Sequence, residues 1–321
     1  MESLRNLIGA ALLASLAGCG SATMELSEEQ AKKQLDQGLE AIAIFDYGKA
    51  LTLLQPVPAA LPVGSREWQK ATFALASSLR YYQPVRGEYV LQSVELYELL
   101  LAEGDDPVIR GMTQIELGRI FEISDFPGDE VDLEKGRDYY RAVIEERPAP
   151  GLANEAVLRL GNSLVKEFTR PEEVEAGIAL VRGYLEEYPD NAQNAVMWQF
   201  IAMAEDMVRN DPAAALDAYD EAKALGFAVP SKADNYLWIM VRLAKQTGDD
   251  RRLVRYCQAT LRDTPRSAHG TLARLELERL QKKHPDWDIE IPRRATFLDF
   301  MNRGGSADAA PTEASGQEEG A

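Results

Sequence analysis

Side chains suited to catalysis or metal binding are scarce in this chain, and their spacing serves neither task. The two histidines, His269 and His284, stand fifteen positions apart, and neither belongs to a His-x-x-x-His or Cys-x-x-Cys arrangement that would aim two ligands at one metal. Both read as exposed residues on helix surfaces. Asp125, Asp129, Glu130 and Asp132 form an acidic stretch that could attract calcium, but its spacing departs from the EF-hand loop. It reads as a solvated insertion between helices. No glycine pattern suited to cradling phosphate occurs, and no G-x-S-x-G nucleophile elbow. Among 52 acidic residues any single carboxylate pair is uninformative. No catalytic residue, metal site or cofactor is expected, and the chain does not read as an enzyme.

Charge narrows the partners. Acidic residues outnumber basic ones 52 to 35, for a formal net charge of −17. Such a surface repels phosphate backbones, and basic residues cluster no further than pairs such as Arg251-Arg252 and Lys282-Lys283. Nucleic acid is excluded as a partner on these grounds.

Cys19 has a more specific setting. Residues 7–17 (LIGAALLASLA) are apolar, a run too short to span a bilayer, which takes ~20 residues, but of signal-peptide length. Leu16-Ala17-Gly18-Cys19 follows directly and resembles the bacterial lipobox. That resemblance implies lipidation of the Cys19 thiol and cleavage in front of it, leaving residues 19–321 anchored in the lipid bilayer. Two or more acyl chains, each buried CH₂ contributing ~0.8 kcal/mol, hold a protein stably without a spanning helix. Gly20 stands where lipoproteins retained at the inner membrane often carry Asp, which implies sorting to the outer membrane, facing the periplasm. With Cys19 alkylated, Cys257 has no intramolecular disulfide partner.

The body must then present whatever surface the protein uses, and its pattern is helical from about residue 27. Apolar residues recur at three- and four-residue spacing, and Ser27 with Gln30 fits a capping box. Pro56, Pro107, Pro148, Pro171, Pro189, Pro212, Pro230 and Pro265 divide the chain into many short helices. A repeat is legible among them. Ala50, Leu54 and Pro62 place an apolar residue four positions, and a proline twelve positions, after a small residue. Gly136, Tyr140 and Pro148 repeat this, as do Gly177, Val181 and Pro189, while Ala215 with Tyr219 and Cys257 with Pro265 repeat parts of it. Cys257 thereby reads as a buried packing residue. A small residue lets antiparallel helices approach closely, and the residue one turn later fills the space between repeats.

This pattern resembles the tetratricopeptide repeat, a helix-turn-helix unit. Gly38, twelve residues before Ala50, matches the small residue of the first helix, and Gly118 and Gly161 take that role in later copies. The second copy places Tyr81 there instead, and the sixth has Val241 and Leu253 at its two small positions. The resemblance implies an all-α, right-handed superhelical solenoid of about six such pairs over residues 27–285, with a polar capping helix at 266–283. In the family, the residue after the small position of the first helix tends to face the concave groove, which puts Arg119, Asn162 and Arg242 there.

The expected organisation is a signal peptide at 1–18, a lipidated tether at 19–26, the solenoid at 27–285, an extension with a short helix at 286–302, and a disordered acidic tail at 303–321. A lipobox followed by repeats is similar to the tetratricopeptide lipoproteins of the outer-membrane β-barrel assembly machinery. It implies a scaffold or assembly adaptor for other cell-envelope proteins; a receptor for a small ligand or cell-wall fragment is the alternative.

Overall fold

The computed structural model describes residues 26–165, 170–264 and 267–293. The signal peptide, Cys19, most of the tether, Pro265, the short helix anticipated near 295–302 and the acidic tail lie outside them. The described residues are all-helical, with two short 3₁₀ turns and no strand. They form two compact units that divide between Tyr184 and Leu185.

The first unit holds α1 (Glu28–Ala43), α2 (Tyr47–Leu54), α3 (Arg66–Tyr81), α4 (Gly87–Glu103), α5 (Pro107–Glu122), α6 (Leu133–Glu146), α7 (Pro150–Val165) and most of α8 (Pro171–Glu187). The capping box is present: Gln30 N–H donates to Ser27 Oγ, and Ser27 N–H to Gln30 Oε1 at 2.9 Å. Asp46, Asp106 and Asp132 cap α2, α5 and α6, each satisfying helix N–H groups and opposing the positive end of the helix dipole. Pro107, Pro150 and Pro171 open their helices, at the position where the missing N–H costs nothing.

Helices pack on their sequence neighbours, and α1, α3, α5 and α7 also touch in succession. Stacked pairs give that arrangement. The small residues act at the pair interfaces. A Cβ on Gly38 would lie 2.5 Å from Leu54, and one on Gly118 would lie 2.4 Å from Tyr140. Leu54 and Tyr140 are wholly buried there. Leu54 alone contributes about 1.5–3 kcal/mol by leaving water.

The second copy corrects the expected register. Ser77, not Tyr81, takes the small position, with its hydroxyl 2.9 Å from that of buried Tyr97. The linker between α3 and α4 carries additional residues, so the match slides by one helical turn. Tyr81 is left half-buried one turn beyond Ser77, at the C-terminal end of α3.

The second unit contains α9 (Asn194–Met207), α10 (Pro212–Ala224), α11 (Ala233–Thr247), α12 (Asp250–Asp263) and α13 (Gly270–Lys283). Asp211 and Asp249 cap α10 and α12. Val241 and Leu253 are buried at the positions where earlier pairs use small residues, and Tyr219 and Cys257 are buried at the filling position that Leu54 and Tyr140 hold in the first unit. Counted along the chain, thirteen described helices make six pairs and a final α13. Residues 288–293 lie back across this last layer. Gln258 donates to the Glu290 carbonyl at 2.8 Å, Arg274 to that of Pro292 at 2.7 Å, and Ile289 is buried.

Candidate functional site

The scarce chemistry-bearing residues are occupied structurally. Cys257 is fully buried, and burial pushes its thiol up to about 12, so it stays protonated at neutral pH. The histidines are not the exposed surface residues expected. His269 lies parallel to the Trp238 ring with centroids 4.5 Å apart. His284 stacks on Trp287 at 3.9 Å and places Nε2 2.6 Å from Asp250 Oδ2. Apolar ring faces explain both positions, a reason invisible in their spacing. Among the described residues no group of three or more His, Cys, Asp or Glu side chains could hold a metal ion.

The acidic insertion is likewise not simply solvated. Asp125 lies 2.6 Å from Arg80, both side chains being about nine-tenths buried. Burial raises the Asp125 carboxyl while Arg80 opposes the shift. Phe126 packs against Gly87, and Asp132 caps α6. The insertion is thus fastened to α3 and α4 at its start and committed to α6 at its end.

The first unit carries an apolar groove of about 470 Å³ between α1, α3 and α5. Its floor and walls include Leu39, Ile42, Phe73, Val108 and Met112, and Arg66 and Lys70 lie along its edge. Leu39 and Val108 are each about 40% exposed, where a core would have covered them. Arg66 reaches Asp106 only at 3.9 Å, and Lys70 has no carboxylate within ion-pair distance among the described residues. Leu39 follows Gly38, so it holds the same register as the three residues placed in the groove by sequence. The repeat register marks Leu39 as it marks the three polar residues, but an apolar residue on a helix reads as core in the sequence alone.

Those three residues occupy different surroundings. Arg119 lies two turns beyond Met112 on α5, donates to Glu116 at 2.8 Å, and sits 5.5 Å over the Tyr81 ring. Tyr81 itself donates to Glu116 at 2.7 Å. Arg242 forks onto Asp206, joining α11 to α9, and also donates to Gln246 at 3.1 Å. Asn162 is exposed on α7. Arg119 and Arg242 are therefore engaged with the protein's own carboxylates, and an incoming anion would have to displace them.

The second unit has a different concavity, about 510 Å³, where α12 meets the C-terminal segment. Arg251 lies 3.9 Å over Trp287, on which His284 also stacks, and Arg252 is held by Asp217 at 2.5 Å. Its charges are largely neutralised within the protein, whereas the first groove exposes uncovered apolar surface.

No protein-family model matches the chain, and no curated protein matches it at a significant level.

Proposed function

We propose that this chain is a lipid-anchored lipoprotein of the bacterial cell envelope, built as a right-handed tetratricopeptide-like solenoid that binds other envelope proteins. The observation that carries this reading is the groove between α1, α3 and α5. It combines exposed Leu39 and Val108 with Phe73 and adaptable Met112, and it has an uncommitted cation at its edge. Exposed apolar surface in a concave setting is what a partner's side chains cover. Stacked helix pairs support the solenoid, since each pair buries one face only against the next. The lipobox resemblance at Leu16–Cys19 supplies the anchor, and Gly20 supports an outer-membrane destination.

The test is in-cell photocrosslinking from position 39, with position 138 on α6 as the exposed reference. A reproducible set of envelope proteins captured at 39 and missing at 138 supports the scaffold. Equal or empty capture from both positions, with expression and anchoring verified, refutes it and favours a receptor for a small ligand.

A further inference from the structure

The turn between α1 and α2 carries two adjacent large apolar side chains that the fold does not use. Ile44 is 71% exposed and Phe45 78% exposed. Phe45 is also in the left-handed backbone region, at φ 62°, which is unfavourable for a bulky L-residue.

The molecule contains its own comparison. Three inter-helix turns are built alike, with one left-handed residue directly before an aspartate that caps the next helix. They are Phe45-Asp46, Asn210-Asp211 and Gly248-Asp249. In each, the aspartate N–H donates back into the preceding helix, to Ala41, Glu205 and Ala244 respectively. Asparagine and glycine are the residues that adopt this conformation cheaply. The first turn instead holds a phenylalanine, whose ring buries little and meets Tyr47 edge-on at 6.4 Å. Folding alone would favour Gly or Asn here, so the exposed ring has another use.

Its surroundings indicate which. Tyr47 packs 5.7 Å from Tyr81, and Arg119 lies over Tyr81, so an aromatic edge with a cation beside it runs from the turn along the ends of α1, α3 and α5. Apolar tips backed by tyrosines and an arginine suit the boundary between acyl chains and headgroups. The turn is also within reach of a bilayer holding Cys19. Glu28 follows Cys19 by nine positions, at most ~30 Å when extended, and α1 is about 24 Å long.

We propose that Ile44 and Phe45 insert into the bilayer surface as a second membrane contact, orienting the array relative to the membrane. This rests on the lipid-anchor reading. Two side chains hold a bilayer weakly by themselves; the acyl anchor keeps them at high local concentration beside it, so they set orientation rather than attachment.

The experiment uses the lipidated full chain carrying Phe45→Cys, labelled with an environment-sensitive fluorophore, on vesicles of phosphatidylethanolamine and phosphatidylglycerol. Buried Cys257 and acylated Cys19 are protected from the label. Asp138→Cys, on exposed α6, is the reference. The position-45 label is expected to shift to the blue and be quenched by lipids bearing shallow nitroxides, and the position-138 label to remain aqueous. An aqueous label at 45 on vesicle-bound protein whose mass shows the acyl chains overturns the insertion and leaves the anchor standing. A mass without acyl chains overturns both. A label shielded in cells but aqueous on vesicles assigns the turn to a protein partner and overturns the lipid contact. Phe45→Asn supplies an independent check: it is expected to unfold at the same or higher temperature, and a marked fall would mean that the ring serves the fold.

Discussion

Phe45 and Gly118 are two backbone positions that favour opposite substitutions. At Phe45 a left-handed conformation holds a side chain that prefers to avoid it, so Phe45→Gly is expected to stabilise the first unit by about 1 kcal/mol. Chemical denaturation of the two proteins measures this directly. At Gly118 the constraint is space. A Cβ would meet Tyr140 Cε1 at 2.4 Å, and Tyr140 is itself buried and donates to Glu122 at 2.9 Å. Gly118→Ala is expected to cost about 1–3 kcal/mol, and an unchanged denaturation midpoint would remove the close-approach explanation of the repeat.

Between helices, polar groups supply alignment that apolar packing leaves loose. Buried Arg137 on α6 donates to the Ser163 hydroxyl at 2.9 Å, to the Ser163 carbonyl at 2.8 Å and to Glu173 at 3.2 Å, fastening α6 to α7 and α8. Arg137→Ala is expected to destabilise the first unit by about 1–3 kcal/mol, because the buried Ser163 hydroxyl and carbonyl lose their partner together, while Glu173 keeps Arg170. In the second unit Asp250 joins α12 to the end of α13. Lys283 and then His284 hold its carboxyl below the usual carboxylate range. A carboxylate whose folded pKa is depressed contributes its stability above the unfolded value, ~3.9, and loses it as pH falls through the folded value. Acid unfolding should accordingly include a component below pH ~4 that Asp250→Asn removes. The variant is expected to cost about 0.5–1 kcal/mol at pH 7, since Lys283 is half-exposed. Urea midpoints at pH 7 and pH 3 separate the two terms.

At the scale of the whole molecule the decisive claim is attachment. None of the described helices is long and apolar enough to cross a membrane; in the function proposed above, Cys19 holds the chain at the membrane. Cys19→Ala is expected to abolish lipid labelling and move the protein out of the membrane fraction. A variant that still fractionates with membranes would end the anchor argument. The same fractionation of an Ile44→Ser, Phe45→Ser double variant should remain membrane-bound, because the proposed turn contact sets orientation and the acyl chains set attachment.

Local rules carried the helical reading a long way. Ser27 with Gln30 is a capping box in fact as in pattern, prolines stand at helix starts and in linkers, and Gly38 and Gly118 meet the residues that their spacing from Leu54 and Tyr140 implies. These features act within one helix or between neighbours, so a linear pattern records them. Tertiary structure decided the rest. A longer linker moved the small position from Tyr81 to Ser77, and packing stacked His269 and His284 on Trp238 and Trp287. Folding back of the insertion buried Asp125 beside Arg80. The groove is the strongest case: Leu39, Phe73 and Met112 come from three helices and look like ordinary core residues in each. Only the stacking of α1, α3 and α5 determines which apolar side chains find a partner, and these remain open to solvent because no further helix among the described residues covers them.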